Sequence, residues 1–465
     1  MKYRSTRGAA PSVGFLDMLL GGLAPDGGLY MPETWPVLGP DEIAAFAGRP
    51  YGEVAADILG RFAGDEIAPG ALRAMCDEAY ATFAHAATAP LRQLSPGRHL
   101  LELFHGPTLA FKDIAMQILA RLYEHALAER GRSLTIVCAT SGDTGGAAVE
   151  AFRGRANIRI VALFPEGRIS EVQRRFMTTA PDDNVRTLAI AGDFDDCQAI
   201  LKALFQDEAF ARSVDLSAVN SINFARIAAQ SVYYFTAAVA LGAPARPIAF
   251  ATPTGNFGDA YAGWTARRMG LPIERIMVAT NGNDIVARAI ETGRYARGEA
   301  LATQSPAMDI QVASNFERLY FECAGRDGEE TRRAFERFAQ AGALDIPPSV
   351  HATMREVFDG ASASETQTAQ AMLASLDATG HLVDPHTAVA LAVADKAGAA
   401  APATPLVVLS TAHPAKFPDA VHAATGRLPP PPVVVQRLAN QPERFDRLAA
   451  DASVVKAYVR EFVGA

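Results

Sequence analysis

The sequence predicts an α/β protein built on parallel sheets, with two such domains following a mainly helical N-terminal region. Three observations carry this. The chain has 465 residues, enough for two or three domains around large cores. From residue 99 onward, short apolar runs lead into glycine-rich turns and then into helical stretches, and this order recurs, as in βαβ units. Before that point the chain shows helical spacing and frequent breakers instead.

Hydrophobic residues make up 49% of the chain and charged residues 20%, the balance of a globular protein rather than a disordered one. A net charge of -8 argues against a nucleic-acid partner, which needs a basic face. It leaves room for a local basic pocket that takes a small anion. Cys76, Cys138, Cys197 and Cys323 form no CxxC or CxxxC pair, so neither a disulfide framework nor a metal site is expected. Residues 18–23 are apolar but soon broken by Gly and Pro, and no other segment runs ~18 residues without charge or breaker. The first residues lack a signal-peptide pattern. A cytoplasmic protein with no membrane partner is expected.

Residues 1–90 read as mainly helical, broken at 25–28, 36–40 and 48–52, with amphipathic segments near 53–63 and 71–87. Pro90, Pro96 and Gly97 mark a boundary. Residues 99–104 predict a strand. A helix over 110–130 follows, because Ile114, Ile118, Leu119, Leu122 and Leu127 recur at helical spacing and Gly131 supplies the stop. Next come a strand over 134–140, a turn over 141–146 and a helix through Phe152. Residues 158–164 and 185–190 predict strands, and 194–210 a helix. A second series opens at Pro247: strand 248–252, turn 253–259, helix to Met269, strand 275–280. Residues 325–380 read as helical and charged, 405–410 as a late strand, and the stretch after Pro429 as a proline-rich start with a helical finish.

Ligands of open parallel sheets bind beyond the carboxyl ends of the strands. Four segments at such positions carry unusual residues. In HGPTLAFKD, 105–113, Lys112 opens a helix after a Gly-Pro turn. The helix dipole disfavours a cation there, and burial beside Phe111 would act the same way, favouring a nucleophilic amine. The alternative is a lysine that reaches out to solvent. In TSGDTGGAAVEAF, 140–152, hydroxyls and glycines between strand and helix direct backbone N–H groups at one point, a site for carboxylate or phosphate. A plain helix cap by Ser141 or Asp143 is the alternative. Asp143 would oppose an anion, so hydroxyls and amides would have to bind it.

In TPTGNFGDAYAGW, 252–264, Gly255 and Gly258 permit close backbone approach, and a helix beginning near Gly258 points its dipole at the same spot. This is the better phosphate cradle of the two, unless the turn is merely structural. No GK[ST] follows, and GxGxxG is missing at the strand-to-helix turns, which disfavours P-loop and nicotinamide enzymes. In STAHPAKFPDA, 410–420, Ser410 and Thr411 offer hydroxyls at a strand end, with Lys416 one turn on; His413 reads as a cap.

HGPTLAFKD, SGDTGGAA, PTGNFGD and TAHPAKF, in that order, resemble the threonine synthase family in its longer bacterial and fungal form. YRSTRG and DGGLYMPE resemble that form's beginning, so the resemblance runs from Tyr3 to at least Lys416. It implies a pyridoxal-phosphate enzyme of fold type II, related to tryptophan synthase β and serine dehydratase, with the cofactor in the crevice between two α/β domains. The domains implied are 1–90, an N-terminal region; 91–130 with 245–430, a large cofactor-binding domain; 131–244, a smaller domain; and 431–465, a helical extension.

In the family the lysine of FKD carries pyridoxal 5'-phosphate as a Schiff base, which falls on Lys112. The GNFG turn holds the cofactor phosphate, which falls on Gly255, Asn256, Phe257 and Gly258. A hydroxyl faces the pyridine nitrogen, with Thr411 first and Ser410 second. Ser141, Thr144 and the amides near Gly142 and Gly145 would take the substrate carboxylate. Many relatives carry Asn where this chain has Asp143, which would then orient the loop. The implied reaction turns O-phospho-L-homoserine and water into L-threonine and phosphate, the last step of threonine biosynthesis, with Lys112 as base and proton carrier. For the leaving phosphate the candidates are Lys416, then Asn223 and Arg226 of NSINFAR. The rival function is a hydroxyamino-acid dehydratase or a phospho-amino-acid lyase, which would share the cofactor residues. A monomer or homodimer without metal is expected.

Overall fold

Apolar runs rich in Val, Ile, Leu and Ala form strands that pair in parallel, because the helices between them return the chain to the same end of the sheet. The computed structural model describes residues 1–219, 221–396 and 404–464. Two units result: Met1–His105 with Ser221–Pro429, and Gly106–Asn220 with Pro430–Ala465.

The first unit holds a six-stranded sheet in the order Phe358–Ser362, Ile273–Thr280, Ile248–Pro253, Leu406–Ser410, Arg98–Glu102, Leu91–Ser95. Every pairing is parallel except the last. Ile248–Pro253 and Leu406–Ser410 are buried at every position, as central parallel strands covered on both faces must be. The helix Pro385–Lys396 packs Ala388, Val389 and Val393 onto Leu100, Ala251, Ala279 and Val408. Among the aromatic contacts in this unit, Tyr234 meets Phe250 at 4.7 Å and Trp264 stacks on Phe358 at 5.8 Å.

The first 90 residues do not stand apart from this unit. Tyr3 and Phe62 both meet Phe224, at 5.7 and 5.4 Å. Tyr3–Ser5 pairs antiparallel with Tyr30–Pro32. Thr6 Oγ1 and Arg7 Nη2 donate to Glu317 at 2.6 and 2.9 Å. The YRSTRG and DGGLYMPE segments are therefore part of the unit's core and its polar network.

The second unit's five-stranded sheet runs Asp446–Ala449, Val185–Ala191, Ile158–Pro165, Leu134–Ala139, Leu216–Ser217, all parallel. The helix Lys112–Arg130 packs beside Asp143–Phe152, with Tyr123 edge-on to Phe152 at 5.8 Å. That packing puts residues 112–130 in this unit, whereas the sequence reading grouped 91–130 with the large domain. Residues 224–240 go the other way, into the first unit, because Tyr233 and Tyr234 bury there against Asp259 and Phe250.

Three elements differ from expectation for local reasons. The helix expected over 194–210 breaks at Asp207, whose side chain accepts from Phe210 N and caps a separate helix, Glu208–Ser213. Phe358–Ser362, in a region read as helical, is drawn into the sheet by pairing with Ile273–Thr280. The stretch after Pro429 adds a strand as well as helices, Asp446–Ala449, to the second unit.

Candidate active site

Ile248–Pro253 and Leu406–Ser410 are parallel neighbours, so the segments that follow them leave from one edge of the first unit's sheet. In the first of these, Phe257 stands at φ 62 as the N-cap of the helix Gly258–Arg268, its ring fixed 5.4 Å from Phe358 and 6.0 Å from Phe316. A Cβ on Gly255 would lie 2.7 Å from Ala307 O, so only glycine fits. Among the described residues nothing accepts from the backbone N–H groups of Gly255, Asn256, Phe257 or Gly258. Four free donors at a helix N-terminus suit a phosphate. Buried Asp259, in the first turn of that helix, is anchored by the hydroxyls of Tyr233 and Tyr234.

At the second strand end, Ser410 and Thr411 separate in role. Ser410 Oγ lies 3.1 Å from Thr387 Oγ1, which in turn donates to Asp384 Oδ1. Asp384 also accepts from Thr387 N at 3.2 Å, and from His386 N and Nδ1 at 2.9 and 2.8 Å. With Nδ1–H committed there, His386 Nε2 is an acceptor, and it takes Ala307 N–H at 3.3 Å. The Ser410 hydroxyl is thus engaged within the fold. The Thr411 hydroxyl makes no hydrogen bond among the described residues, and remains available to a ligand. His413 Nδ1 accepts from Ala415 N at 3.1 Å, as a cap. Burial first, and nearby His105 second, push its imidazole down to about 4, so it is neutral at pH 7. Lys416 is buried, at 1% exposure.

Beside this edge, Glu102 accepts from His105 at 2.8 Å and Arg92 at 2.6 Å. Burial alone would raise its carboxyl, but those two hydrogen bonds outweigh burial and hold it at about 2. Of the remaining first-unit candidates, Asn223 caps the helix Phe224–Ala240 through Ala225 N and donates to Leu19 O at 2.7 Å. Arg226 lies on the buried face of that helix, 4% exposed.

In the second unit, Lys112 is the first residue of its helix. Its side chain is 12% exposed, with Nζ 3.8 Å from Asp143 Oδ2 and 4.7 Å from the centre of the Phe111 ring. The solvent-facing alternative is excluded by that burial. The loop before it is fixed by Asp113, fully buried, which accepts from Thr108 N and Oγ1 at 2.8 and 2.6 Å. Leu109 is held at φ 60, which costs an L-residue about 1–2 kcal/mol. Asp113→Asn, which turns one accepting oxygen into a donor, should lower kcat by roughly 10–100-fold by misplacing Lys112. Steady-state kinetics at equal cofactor content checks this, and an unchanged kcat would remove Asp113 from that role.

The turn after Leu134–Ala139 corrects one expectation. The amides of Gly142 and Gly145, expected to face a ligand, both donate to Thr140 Oγ1 at 2.9 Å. Gly142 stands at φ 127, and a Cβ on it would lie 2.5 Å from Gln173. Gln173 in turn donates to Asp143 Oδ1 at 3.0 Å, so Asp143 is oriented between Gln173 and Lys112. Thr140, Asp113, Asp384 and Thr387 were given no role from sequence, since a threonine at a strand end or an aspartate in a helix has many ordinary uses.

Comparison with known proteins decides the family. A profile described as pyridoxal-phosphate dependent enzyme matches residues 99–355, flanked by a threonine synthase N terminus at 2–80 and a threonine synthase C-terminal domain at 387–459. A threonine synthase of Pseudomonas aeruginosa is 46% identical over 99% of this chain and 98% of its own. The chain belongs to the threonine synthase family. The threonine synthase of Methylobacillus glycogenes is 42% identical with full coverage of both chains. The solved structure of PLP-bound threonine synthase from Brucella melitensis is 50% identical and matches all of both chains with a TM-score of 0.97. That of yeast threonine synthase, 35% identical, matches with 0.95 over 100% of this chain and 99% of its own.

As a threonine synthase the chain is a pyridoxal-phosphate-dependent carbon–oxygen lyase of fold type II, acting on a small-molecule substrate. Its residues fit the cofactor. Taken unit by unit, an N–H-rich glycine turn that suits a phosphate and an unengaged hydroxyl at Thr411 lie in the first, and a largely buried amine at Lys112 lies in the second. Among the described residues no helix is long and apolar enough to cross a membrane, and no His, Cys, Asp and Glu group could hold a metal ion.

Proposed function

We propose that this threonine synthase converts O-phospho-L-homoserine and water into L-threonine and phosphate, with Lys112 moving the protons. The observation that supports this is the largely buried Lys112 amine, 3.8 Å from Asp143 at the head of the next helix. Bound pyridoxal phosphate supplies an electron sink for charge developing at the substrate's Cα and Cβ. Lys112 Nζ accepts the proton from Cα and gives it up to the substrate's γ-phosphate, so that it is free to remove one at Cβ as that phosphate leaves; it then returns the Cβ proton at Cγ and hands the proton of the water that adds at Cβ to Cα. Asp143 gives the ammonium a counter-charge between transfers.

The hydroxyls of Ser141 and Thr144 hold the substrate carboxylate. The N–H groups of 255–258 would hold the cofactor phosphate, and Thr411 would offer its hydroxyl to the cofactor ring. For the leaving phosphate we assign Lys416 first and Arg226 second; the claim of Asn223 is weaker, because both ends of its amide are used by the fold. The enzyme works in the cytoplasm as a monomer or homodimer. Incubated with phosphohomoserine, it should release threonine and phosphate in equal amounts, read by amino-acid analysis and a phosphate assay. Release of 2-oxobutanoate in place of threonine would overturn the assignment in favour of a dehydratase or lyase.

A further inference from the structure

Arg318 is fully buried. Its guanidinium donates to neutral acceptors: Asn315 Oδ1, Ile222 O at 2.5 Å and Tyr30 O at 3.3 Å, with Phe224 beneath it at 5.9 Å. Among the described residues no carboxylate forms an ion pair with it. The carboxylates on its own helix are taken by others. Glu317 accepts from Thr6 and Arg7, and Glu322 lies with Arg326, Arg268 and Trp35. A buried cation without an anion is strongly unfavourable in a protein interior. Burial pushes this guanidinium down to about 10, which leaves it charged at pH 7.

Its hydrogen-bond chain leads to one place. Asn315, whose carbonyl oxygen Arg318 holds, donates through both its backbone N and its Nδ2 to Asn256 O, each at 3.1 Å. Nδ2 also donates to Ser221 O at 3.1 Å, and a Cβ on Gly258 would lie 3.3 Å from it. The buried charge thus stands two hydrogen bonds from the 255–258 turn, on the inner side of the phosphate cradle. Asn315 carries the polarisation outward, with its carbonyl toward the cation and its N–H groups toward the turn.

We propose that Arg318 is a positioning residue for the anion at 255–258: its charge, relayed through Asn315, raises the affinity of that turn for a dianionic phosphate, and the bound phosphate is its counter-charge. This rests on the assignment of the cofactor phosphate to that turn. The tests use full-length cofactor-free protein titrated with pyridoxal 5'-phosphate and, separately, with pyridoxal, which lacks the phosphate.

Arg318→Gln and Arg318→Met remove the charge, the second filling the buried volume with apolar atoms should the first not fold. Each should weaken pyridoxal-phosphate binding on the order of 10–100-fold while leaving pyridoxal binding unchanged. Arg318→Lys, which keeps the charge and loses the planar fork, should stay within about 3-fold of the wild type. Inorganic phosphate should raise the melting temperature of wild type and Arg318→Lys, and not that of Arg318→Met. Unaltered pyridoxal-phosphate affinity in Arg318→Gln or Arg318→Met would overturn the proposal, as would equal losses in the lysine and uncharged variants, which would mark a purely geometric role. Asn256→Asp sets a carboxylate in the turn itself. If that leaves the preference for pyridoxal phosphate over pyridoxal unchanged, the phosphate assignment fails, whatever the Arg318 variants do.

Discussion

Lys112→Ala should abolish threonine formation, lowering kcat at least about a thousandfold, because the variant loses both its nucleophilic amine and its proton carrier. The fold should persist: alanine is the best helix former, and the position is the first of a nineteen-residue helix whose other side chains supply the packing. The circular dichroism spectrum is therefore expected to match the wild type. The cofactor should still bind through its phosphate, but reversibly. Borohydride reduction followed by peptide mass mapping separates the two forms. Wild type should carry the reduced cofactor on the peptide containing Lys112, and the variant on none. A kcat within tenfold of wild type, or label recovered on another lysine, would sink the assignment.

Asp384→Ala is expected to have the largest effect on stability, about 3–5 kcal/mol. Asp384 is fully buried. Its two oxygens accept from His386 N, His386 Nδ1, Thr387 N and Thr387 Oγ1, so truncation leaves a cluster of buried donors without acceptors. The damage would spread along the chain of contacts. Thr387 would be free to turn from Ser410, and His386 would lose the bond that makes its Nε2 an acceptor for Ala307 N. Ala307 is also the residue that closes over Gly255. Urea denaturation should show a midpoint lower by about 1 M, given a slope of a few kcal/mol per molar. Asp384→Asn, which keeps one oxygen, should fall between. A midpoint within a few tenths molar of wild type would show that the network contributes little.

What could be read from the sequence was chemistry that is local in the chain. Lys112 is marked by its own neighbours, a Gly-Pro turn before it and a helix after it; Gly255 and Gly258 are marked by a strand that ends where a helix begins. Both are visible within a dozen residues. Arg318, Asn315, Asp384 and Thr387 act only through partners brought by the fold: Arg318 meets Ile222 across 96 positions, and Ser410 meets Thr387 across 23. Nothing beside them in the chain distinguishes them. The amides of Gly142 and Gly145 were misread for a related reason, since only the three-dimensional turn shows that the Thr140 hydroxyl takes both.

The elements follow the same division. Ile248–Pro253 was legible as an apolar run between turns, and Lys112–Arg130 by the helical spacing of Ile114, Ile118, Leu122 and Leu127 with Gly131 as its stop. Phe224–Ala240 is buried along nearly all its length, with Arg226 and Gln230 buried beside its apolar residues, so polarity does not mark out a solvent face. Phe358–Ser362 contains Asp and Gly, poor strand formers, and is a strand because its neighbour imposes it. Gly360 is required there: a Cβ would lie 2.5 Å from Ala287 O. Unit boundaries were the least legible feature, because each unit is assembled from separated stretches of chain.

That interleaving has a consequence for biosynthesis. The strand Val185–Ala191 receives its outer partner from Asp446–Ala449, and Thr187 Oγ1 bonds Arg444 O across 257 positions. During translation the second unit's sheet therefore presents a bare hydrogen-bonding edge from the emergence of Val185–Ala191 until that of Asp446–Ala449, a state prone to pairing with other nascent chains. Completion of that sheet must wait for Asp446–Ala449, and until then its edge is open to any strand that can pair with it.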